Sequence, residues 1–276
     1  MRFLFAISLL LGAFGPAQAQ PDRREVVYLR QGGAAFTLDV IRPTRPNRAA
    51  VIVLISGSWI SNHQMLADYG PKLAQVFTDS GFTVLEVVHG AQPRYTVREI
   101  ARQVDSAVAY VAAHAAELGV DATRLGLTGI SSGGNLALLS AGTPNTPLRA
   151  VAAIAPPTDL VNWGKPAVLF TDLRAFATFP PAFGLRAASS RAEATAAQRS
   201  VSPVLRASAT FPPTLIVHGD GDTVVPLQQG QRMITALTRA GGRHRLEVIP
   251  GGGHDEATFL AGLTRACVWF QDVLLR

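Results

Sequence analysis

One pentapeptide limits what this chain can fold into: residues 129–133 read Gly-Ile-Ser-Ser-Gly. An apolar strand-like run, residues 124–128, precedes it, and an Ala/Leu-rich helical run, residues 135–139, follows it. A serine between glycines at a strand-to-helix junction is typical of a nucleophile elbow, a sharp turn that lifts the serine above a sheet. The glycines are needed because a Cβ would clash with the crowded strand and helix. The motif therefore predicts a strand–turn–helix with Ser131 at its tip.

Apolar runs alternate with longer amphipathic stretches along the chain, which predicts an α/β fold with a mostly parallel central sheet flanked by helices. An antiparallel hairpin is expected to open it, and the length fits one large domain better than two small ones. The predicted strands are residues 25–28, 36–41, 51–55, 83–88, 124–128, 150–155, 214–217 and 246–249. The predicted helices are residues 64–80, 97–118, 135–139, 227–240 and 254–274.

The first 19 residues are predicted to be a secretory signal peptide. Arg2 supplies the charged start, residues 3–14 the apolar core, and Ala17-Gln18-Ala19 the small-residue cleavage site. The apolar core is short for a membrane span, and an uncleaved N-terminal anchor is the alternative. Residues 20–276 would then form the mature domain, periplasmic or secreted, without stable membrane insertion.

The alternation breaks down between about residues 157 and 212, where prolines, aromatic side chains and a helix-like run at 187–199 occur. A connection between a strand and a helix ordinarily takes about two to six residues, so this segment is an insertion. We interpret it as a cap whose aromatic side chains wall a compact apolar substrate pocket. A peripheral excursion without substrate contact is the alternative.

Composition excludes several classes of function. The net charge is +6, but the arginines are scattered without a basic run, so nucleic-acid binding is not expected. The single cysteine, Cys267, rules out an intrachain disulfide. The sequence contains neither metal-ligand spacing nor a dinucleotide fingerprint, so we expect no metal and no cofactor. No pattern specifies an oligomeric state.

Two later loops carry residues that would activate a serine. A serine hydroxyl becomes an effective nucleophile when a histidine takes its proton and a carboxylate orients that histidine. In folds with such an elbow the chain order is serine, acid, histidine, each after a strand. Asp222 follows the strand at 214–217, and His254 follows the last strand. The sequence therefore predicts a catalytic triad of Ser131, Asp222 and His254.

Two neighbouring residues on the acid loop are alternatives for these roles. Asp220 is the competing acid, although it could instead brace the loop. His218 stands at the very end of a predicted strand, so we expect it to support the loop rather than to act as the base.

Three motifs resemble those of the α/β-hydrolase superfamily: G-I-S-S-G-G-N, P-P-T-L-I-V-H-G-D-G-D-T-V-V-P and G-G-G-H. They are most similar to the exported esterase-like branch related to feruloyl esterases, dienelactone hydrolases and prolyl-oligopeptidase catalytic domains. The resemblance covers nearly the whole mature chain and implies an α/β-hydrolase fold for residues 20–276. It assigns the acid to the later aspartate, Asp222. Dienelactone hydrolases carry cysteine at the elbow, so serine here favours ordinary ester chemistry.

The resemblance also implies an oxyanion hole, which needs two backbone N–H donors. Ser132, directly after the nucleophile, is expected to supply one. Relatives often carry H-G-G-G-W after the strand that corresponds to 51–55, whereas residues 55–59 here read I-S-G-S-W. The histidine is absent and serines replace two glycines. Because the donors are backbone groups, Gly57 or Ser58 is still expected to supply the second one.

Trp59 and His89 are the candidate substrate-binding residues. Trp59 belongs to the predicted oxyanion loop, and His89 follows a central strand. Residues 88–91 read V-H-G-A, whereas relatives of the hormone-sensitive-lipase type carry a D-Y-R-like stretch there. This departure argues against that branch.

Together these features predict an exported serine hydrolase that cleaves a small-molecule carboxylic ester through an acyl-enzyme on Ser131. The aromatic insertion favours short-chain or aryl esters. A serine peptidase of the prolyl-oligopeptidase type is the alternative enzyme. A hydrolase fold that only binds a ligand is the alternative of another class, and the complete set of triad residues argues against it.

Overall fold

The computed structural model of the chain describes residues 22–164 and 166–276, and the expected signal peptide, residues 1–19, lies outside them. The strands are β1 (Arg23–Gln31), β2 (Ala34–Ile41), β3 (Ala50–Ile55), β4 (Thr83–Val88), β5 (Leu125–Ile130), β6 (Ala150–Ile154), β7 (Thr214–Gly219) and β8 (His244–Ile249). They form one eight-stranded sheet in the order β1-β2-β4-β3-β5-β6-β7-β8. β2 is antiparallel to β1 and β4, and every other neighbouring pair is parallel. The predicted opening hairpin and mostly parallel sheet are confirmed.

Helices cover both faces of the sheet. They are α1 (His63–Thr78), α2 (Val97–Ala113), α3 (Ala115–Leu118), α4 (Ser132–Ala141), α5 (Arg191–Ser200), α6 (Gln228–Ala240) and α7 (Glu256–Leu274). α1 and α7 pack on one face, and α2, α4 and α6 pack on the other. Among the described residues, no helix has the length and apolar character needed to cross a bilayer.

Alternate residues of the central strands supply the two cores. In β3, Ile52 and Leu54 belong to the core under α2 and α4, whereas Val51 and Val53 belong to the core under α1 and α7. Successive side chains of a strand point to opposite faces, so a strand buried on both sides reads as a continuous apolar run. This is why the sequence pattern located the central strands well.

Two predicted helix boundaries were wrong because local hydrogen bonds set them. The helix predicted at 97–118 is divided at His114, whose ring Nδ1 lies 2.9 Å from the carbonyl oxygen of Tyr110. The helix predicted to start at His254 starts at Glu256, because the Asp255 carboxylate accepts the N–H of Thr258 at 2.9 Å and caps the first turn. His254 consequently lies on the loop before the helix.

A pair of carboxylates is buried in the sheet on the α1 face. Glu86 of β4 lies opposite Asp39 of β2 in the antiparallel register. Gly70 of α1 passes directly over Glu86, since a Cβ there would lie 2.8 Å from Glu86 Oε2. Burial, with a smaller contribution from the Asp39 charge, raises the pKa of Glu86 to about 8. Glu86 is therefore protonated at neutral pH.

The insertion lies between β6 and β7, and its aromatic side chains pack on Trp59, which follows β3. It contains short 3₁₀ turns at Phe170–Asp172, Arg174–Phe176, Pro180–Phe183 and Pro203–Arg206 in addition to α5. α5 starts at Arg191 rather than at the predicted 187, because Ser190 and Glu193 form a reciprocal capping box.

Candidate active site

The loop between β5 and α4 is a strained elbow. Ser131 has φ +52° and ψ −118°, a backbone conformation that residues other than glycine rarely adopt. The turn is tight enough that a Cβ on Gly129 would lie 2.5 Å from the carbonyl carbon of Gly133. Only glycine fits at 129, which is the physical reason for the motif. The Ser131 side chain is left partly exposed above the sheet.

The structure brings Ser131, His254 and Asp222 into one hydrogen-bonded line. Nε2 of His254 lies 3.1 Å from Oγ of Ser131, and Nδ1 of His254 lies 2.7 Å from Oδ2 of Asp222. The three residues follow β5, β7 and β8, whose carboxyl ends meet at one edge of the sheet because the strands are parallel. With Nδ1–H donating to Asp222, the unprotonated Nε2 can take the serine proton.

Asp222 is held as a carboxylate. Its other oxygen, Oδ1, accepts the N–H groups of Val224 and Val225 at 2.9 and 2.8 Å. Burial works to raise the pKa of Asp222, but the hydrogen bonds from His254 and from these N–H groups outweigh it and lower that pKa. The charge therefore persists at the buried end of the line, where it orients the imidazole.

Asp220 points away from the histidine and joins two loops. Its Oδ1 accepts the N–H of Gly251 at 2.6 Å, on the loop that carries His254. The loops also meet through a 2.9 Å hydrogen bond from Gly221 N–H to the carbonyl of Gly252. A Cβ on Gly219 would lie 2.1 Å from that same carbonyl oxygen. The acid and histidine loops thus pack as one unit.

Two further histidines are buried beneath the loops. His218 Nε2 lies 2.8 Å from the carbonyl of Val225, so the ring braces the acid loop, as its position at the strand end suggested. Burial lowers the pKa of His218. His89 Nδ1 hydrogen-bonds the carbonyl of Gly90, and burial lowers the pKa of His89 to about 4. Its side chain is enclosed, so the prediction that His89 lines the substrate site was wrong.

The loop after β3 forms a tight turn that excludes one predicted oxyanion donor. Gly57 and Ile60 exchange two backbone hydrogen bonds, of 3.0 and 2.8 Å, with Ser58 and Trp59 at φ +52° and +57° between them. The Gly57 N–H is therefore occupied, and its assignment as the second donor was wrong. The Ser58 N–H makes no hydrogen bond to any described residue. It is the predicted donor that stays available.

Trp59 is a core residue rather than a substrate contact, which corrects its predicted role. Its indole is 2 % exposed and donates from Nε1 to Oδ1 of Asn135 at 3.1 Å. Its ring packs edge-to-face on Phe170, Phe179 and Phe183 of the insertion, at centroid distances of 5.7–5.9 Å. The insertion's aromatic side chains pack on one another and on Trp59. Phe183 also lines a cavity of about 340 Å³, but none of the triad residues lines that cavity, so it is not the substrate pocket that the sequence suggested.

The role of Ser56 was not predicted from the sequence. The signal for it was present, because a serine stands at 56 where relatives often carry a glycine. Oγ of Ser56 lies 3.1 Å from Oγ of Ser132, the residue after the nucleophile. A Cβ on Gly133 would lie 3.3 Å from Cβ of Ser56, so the end of β3 and the start of α4 are in close contact. The hydroxyl pair connects the two segments that would supply the oxyanion donors.

A groove of about 390 Å³ opens beside His254, between α1 and α7. Its apolar lining includes Met65, Leu73, Ile130, Phe259 and Leu260, and we call it the His254 groove. Lys72 of α1 and Glu256 of α7 form a 2.8 Å ion pair across its rim. The described residues contain no cluster of three or more His, Cys, Asp or Glu side chains that could hold a metal ion.

A mostly parallel sheet between helices, with serine, aspartate and histidine in that chain order on three strand-end loops, defines an α/β-hydrolase. Comparison with known families agrees with this class. The chain belongs to the BD-FAE family, whose model matches residues 38–237.

Solved structures share this fold. The truncated form of a carbohydrate esterase from gut microbiota superposes with a TM-score of 0.78 at 22% identity, covering 95% of this chain and 100% of that one. The apo form of Thermogutta terrifontis esterase 2 superposes with a TM-score of 0.70 at 21% identity, covering 94% and 97%. At these identities the likeness establishes the fold.

Curated relatives are similar over most of this chain. Esterase LipC of Mycobacterium tuberculosis is 26% identical over 84% of this chain and 59% of LipC. LipM of the same organism, a probable carboxylic ester hydrolase, is 29% identical over 74% of this chain and 49% of LipM. The chain spans about half the length of the curated relatives it matches.

Proposed function

We propose that this protein is a serine hydrolase that cleaves carboxylic esters through an acyl-enzyme on Ser131. The observation that carries the proposal is the line from Ser131 Oγ through His254 to Asp222, with distances of 3.1 and 2.7 Å. The esterase names of LipC and of the superposing structures support the same reaction class.

In the proposed mechanism, His254 Nε2 takes the Ser131 proton while Oγ attacks the ester carbonyl. Asp222 stabilises the resulting imidazolium, and the N–H groups of Ser132 and Ser58 stabilise the negative oxygen. His254 then returns the proton to the departing alcohol oxygen. A water, activated by the same histidine, hydrolyses the acyl-enzyme and regenerates Ser131.

Short-chain or aryl esters are the proposed substrates. The His254 groove, at about 390 Å³, is at the small end of the range for ligand sites, which favours a small ester as a whole. Thermogutta terrifontis esterase 2 has been described with butyrate and with propionate bound, which supports a small acyl group here. Acetate, butyrate, aryl and palmitate esters of one chromogenic alcohol test this, and a preference for palmitate contradicts it.

Export is also part of the proposal, supported by the charged start, apolar core and A-Q-A site of residues 1–19. Mass spectrometry of the protein recovered from a cell fractionation tests it. Export predicts a periplasmic or secreted product that begins near Gln20, whereas a full-length membrane-associated product supports the uncleaved anchor.

A fluorophosphonate probe and a Ser131→Ala variant test the catalytic proposal. The wild type should be labelled at Ser131, and Ser131→Ala should lose labelling and about a million-fold in kcat. Ser106→Ala, at an exposed hydroxyl on α2, is the matched control and should change neither. Hydrolysis of peptides in preference to esters would favour the peptidase alternative. A wild type that is not labelled would favour a binding protein.

A further inference from the structure

We propose that the His254 groove binds the alcohol portion of the ester, and that it selects uncharged alkyl or aryl alcohols. The inference rests on the proposed function and specifies it further, because it assigns one side of the substrate to one surface. Two other cavities, of about 340 and 470 Å³, are lined by none of the three triad residues.

The reaction geometry places the alcohol on this side. A general acid must be within hydrogen-bond reach of the atom that it protonates, so the leaving oxygen has to lie beside His254 Nε2. The groove is lined by His254 itself and by Phe259, whose ring packs edge-to-face on the imidazole at a centroid distance of 4.9 Å. A group attached to the leaving oxygen therefore has this apolar wall as its neighbour.

The chemistry of the lining favours an uncharged, apolar group. Five of the apolar side chains that line the groove are only partly buried and face the same space from α1, α7 and the end of β5. A ligand that covers them removes apolar surface from water, which is favourable. The charged side chains of the lining already have partners: Lys72 and Glu256 pair with each other at the rim, and the Asp255 carboxylate accepts the N–H of Thr258.

Among the residues that the structure describes, the aromatic side chains of the insertion do not line the His254 groove. The rings of Phe170, Phe176 and Phe179 pack against one another and around Trp59. Met65 also bounds the groove next to the oxyanion loop, since a Cβ on Gly57 would lie 3.3 Å from its Cε. The space for the alcohol is therefore compact, and its size is set by α1 and α7.

Leu73 is the residue to vary, because it lines the groove from α1, whereas the triad residues lie on the loops after β5, β7 and β8. Leu73→Trp fills the groove, Leu73→Ala enlarges it, and Val268→Trp adds the same indole at an exposed position of α7 that does not line it. kcat/KM is measured for methyl, butyl and benzyl acetate, which share one acyl-enzyme. The same constant is measured for methyl acetate, butyrate and benzoate, which share one alcohol.

We expect Leu73→Trp to lower kcat/KM for butyl and benzyl acetate by about ten-fold or more, with the three methyl esters within about two-fold of wild type. Leu73→Ala should raise the ratio of benzyl to methyl acetate, and Val268→Trp should leave both series unchanged. Free benzyl alcohol should inhibit Leu73→Trp more weakly than wild type. A loss that follows the acyl group, or equal losses in both series, overturns the assignment. Wild-type protein that hydrolyses none of these esters overturns the proposed function instead.

Discussion

Asp220 and Asp222 are two residues apart, yet their carboxylates have different partners. Asp222 lies against the His254 ring, and Asp220 accepts the backbone N–H of Gly251. Sequence spacing alone left both aspartates as candidates, because either could reach a histidine on the next loop. The direction of each side chain is set by the turn, which aims two backbone N–H groups at Asp222 Oδ1.

Asp222→Asn should lower kcat about ten-thousand-fold, because an amide in place of the carboxylate favours the wrong histidine tautomer. Asp220→Asn should cost far less, since an amide oxygen can still accept the Gly251 N–H. Both values come from steady-state hydrolysis of an aryl acetate. The reverse ranking would show that Asp220 is the acid.

Ser56→Ala should lower kcat by about ten-fold with little change in KM, because the hydroxyl contact with Ser132 aligns the two oxyanion-donor segments. Ser132→Ala should have a similar effect. The double variant should lower kcat no further than either single variant does, because all three variants remove the same contact.

Ser58→Gly is a separate test, of the second oxyanion donor. Ser58 has φ +52° and is expected to contribute only its N–H, so glycine there should keep activity within about ten-fold and relieve backbone strain. Additive losses in the Ser56 and Ser132 variants, or a loss of about 100-fold or more in Ser58→Gly, would contradict this account.

Among the elements, the strands and the strand-end loops could be predicted from the sequence because apolar runs and glycine motifs report them directly. Helix starts could not be predicted to the residue. Asp255 and Ser190 fix them through N-cap hydrogen bonds, and neighbouring residues are competing candidates for the same N-cap role. The roles of Trp59 and His89 depended on which side chains enclose them. Such tertiary contacts leave no local pattern.

The Glu86–Asp39 pair makes the stability of the sheet depend on pH. An unfolded glutamate releases its proton near pH 4.5, whereas burial raises the pKa of Glu86 to about 8. Between these values the folded state holds a proton that the unfolded state lacks, so the free energy of unfolding falls as pH rises. This contribution falls by on the order of 1.4 kcal/mol per pH unit.

Glu86→Gln should remove that dependence, since an amide carries no titrating proton. Relative to wild type, the variant should gain stability steadily from about pH 5 to about pH 8 in urea unfolding. Glu117→Gln, at an exposed position of α3, should run parallel to wild type. Parallel curves for Glu86→Gln would mean that Glu86 is ionised in the folded protein.

At the scale of the whole molecule, Asn135 connects the insertion to the domain. Its amide nitrogen donates to the carbonyls of Pro157 and Val201, at 3.0 and 3.2 Å, and its oxygen accepts the Trp59 indole N–H. The first helical turn after the nucleophile thus holds the start of the cap-like segment and the residue that follows α5. The asparagine of G-I-S-S-G-G-N was visible in the sequence, but its partners are 22 and 66 residues further on.

Asn135→Ala should destabilise the protein by on the order of 3 kcal/mol, because three buried polar groups lose their partner together. Chemical denaturation measures the loss. Asn145→Gly, at an exposed turn with φ +59°, is the matched control and should change stability little. A loss below about 1 kcal/mol in Asn135→Ala would show that the insertion is held by its aromatic contacts alone.

The contact between the acid and histidine loops constrains how this protein can evolve. The two loops are 33 residues apart in sequence at Gly219 and Gly252, yet they leave no room for a methyl group between them. A side chain at 219 would displace the segment that carries His254, because the atoms that its Cβ would meet belong to the backbone of residue 252. In a library randomised at 219 and at 251–253 and selected for ester hydrolysis, survivors should retain Gly219 or carry its replacement only together with a change in the 251–253 segment. Residue 219 and the 251–253 segment are therefore expected to change together or not at all.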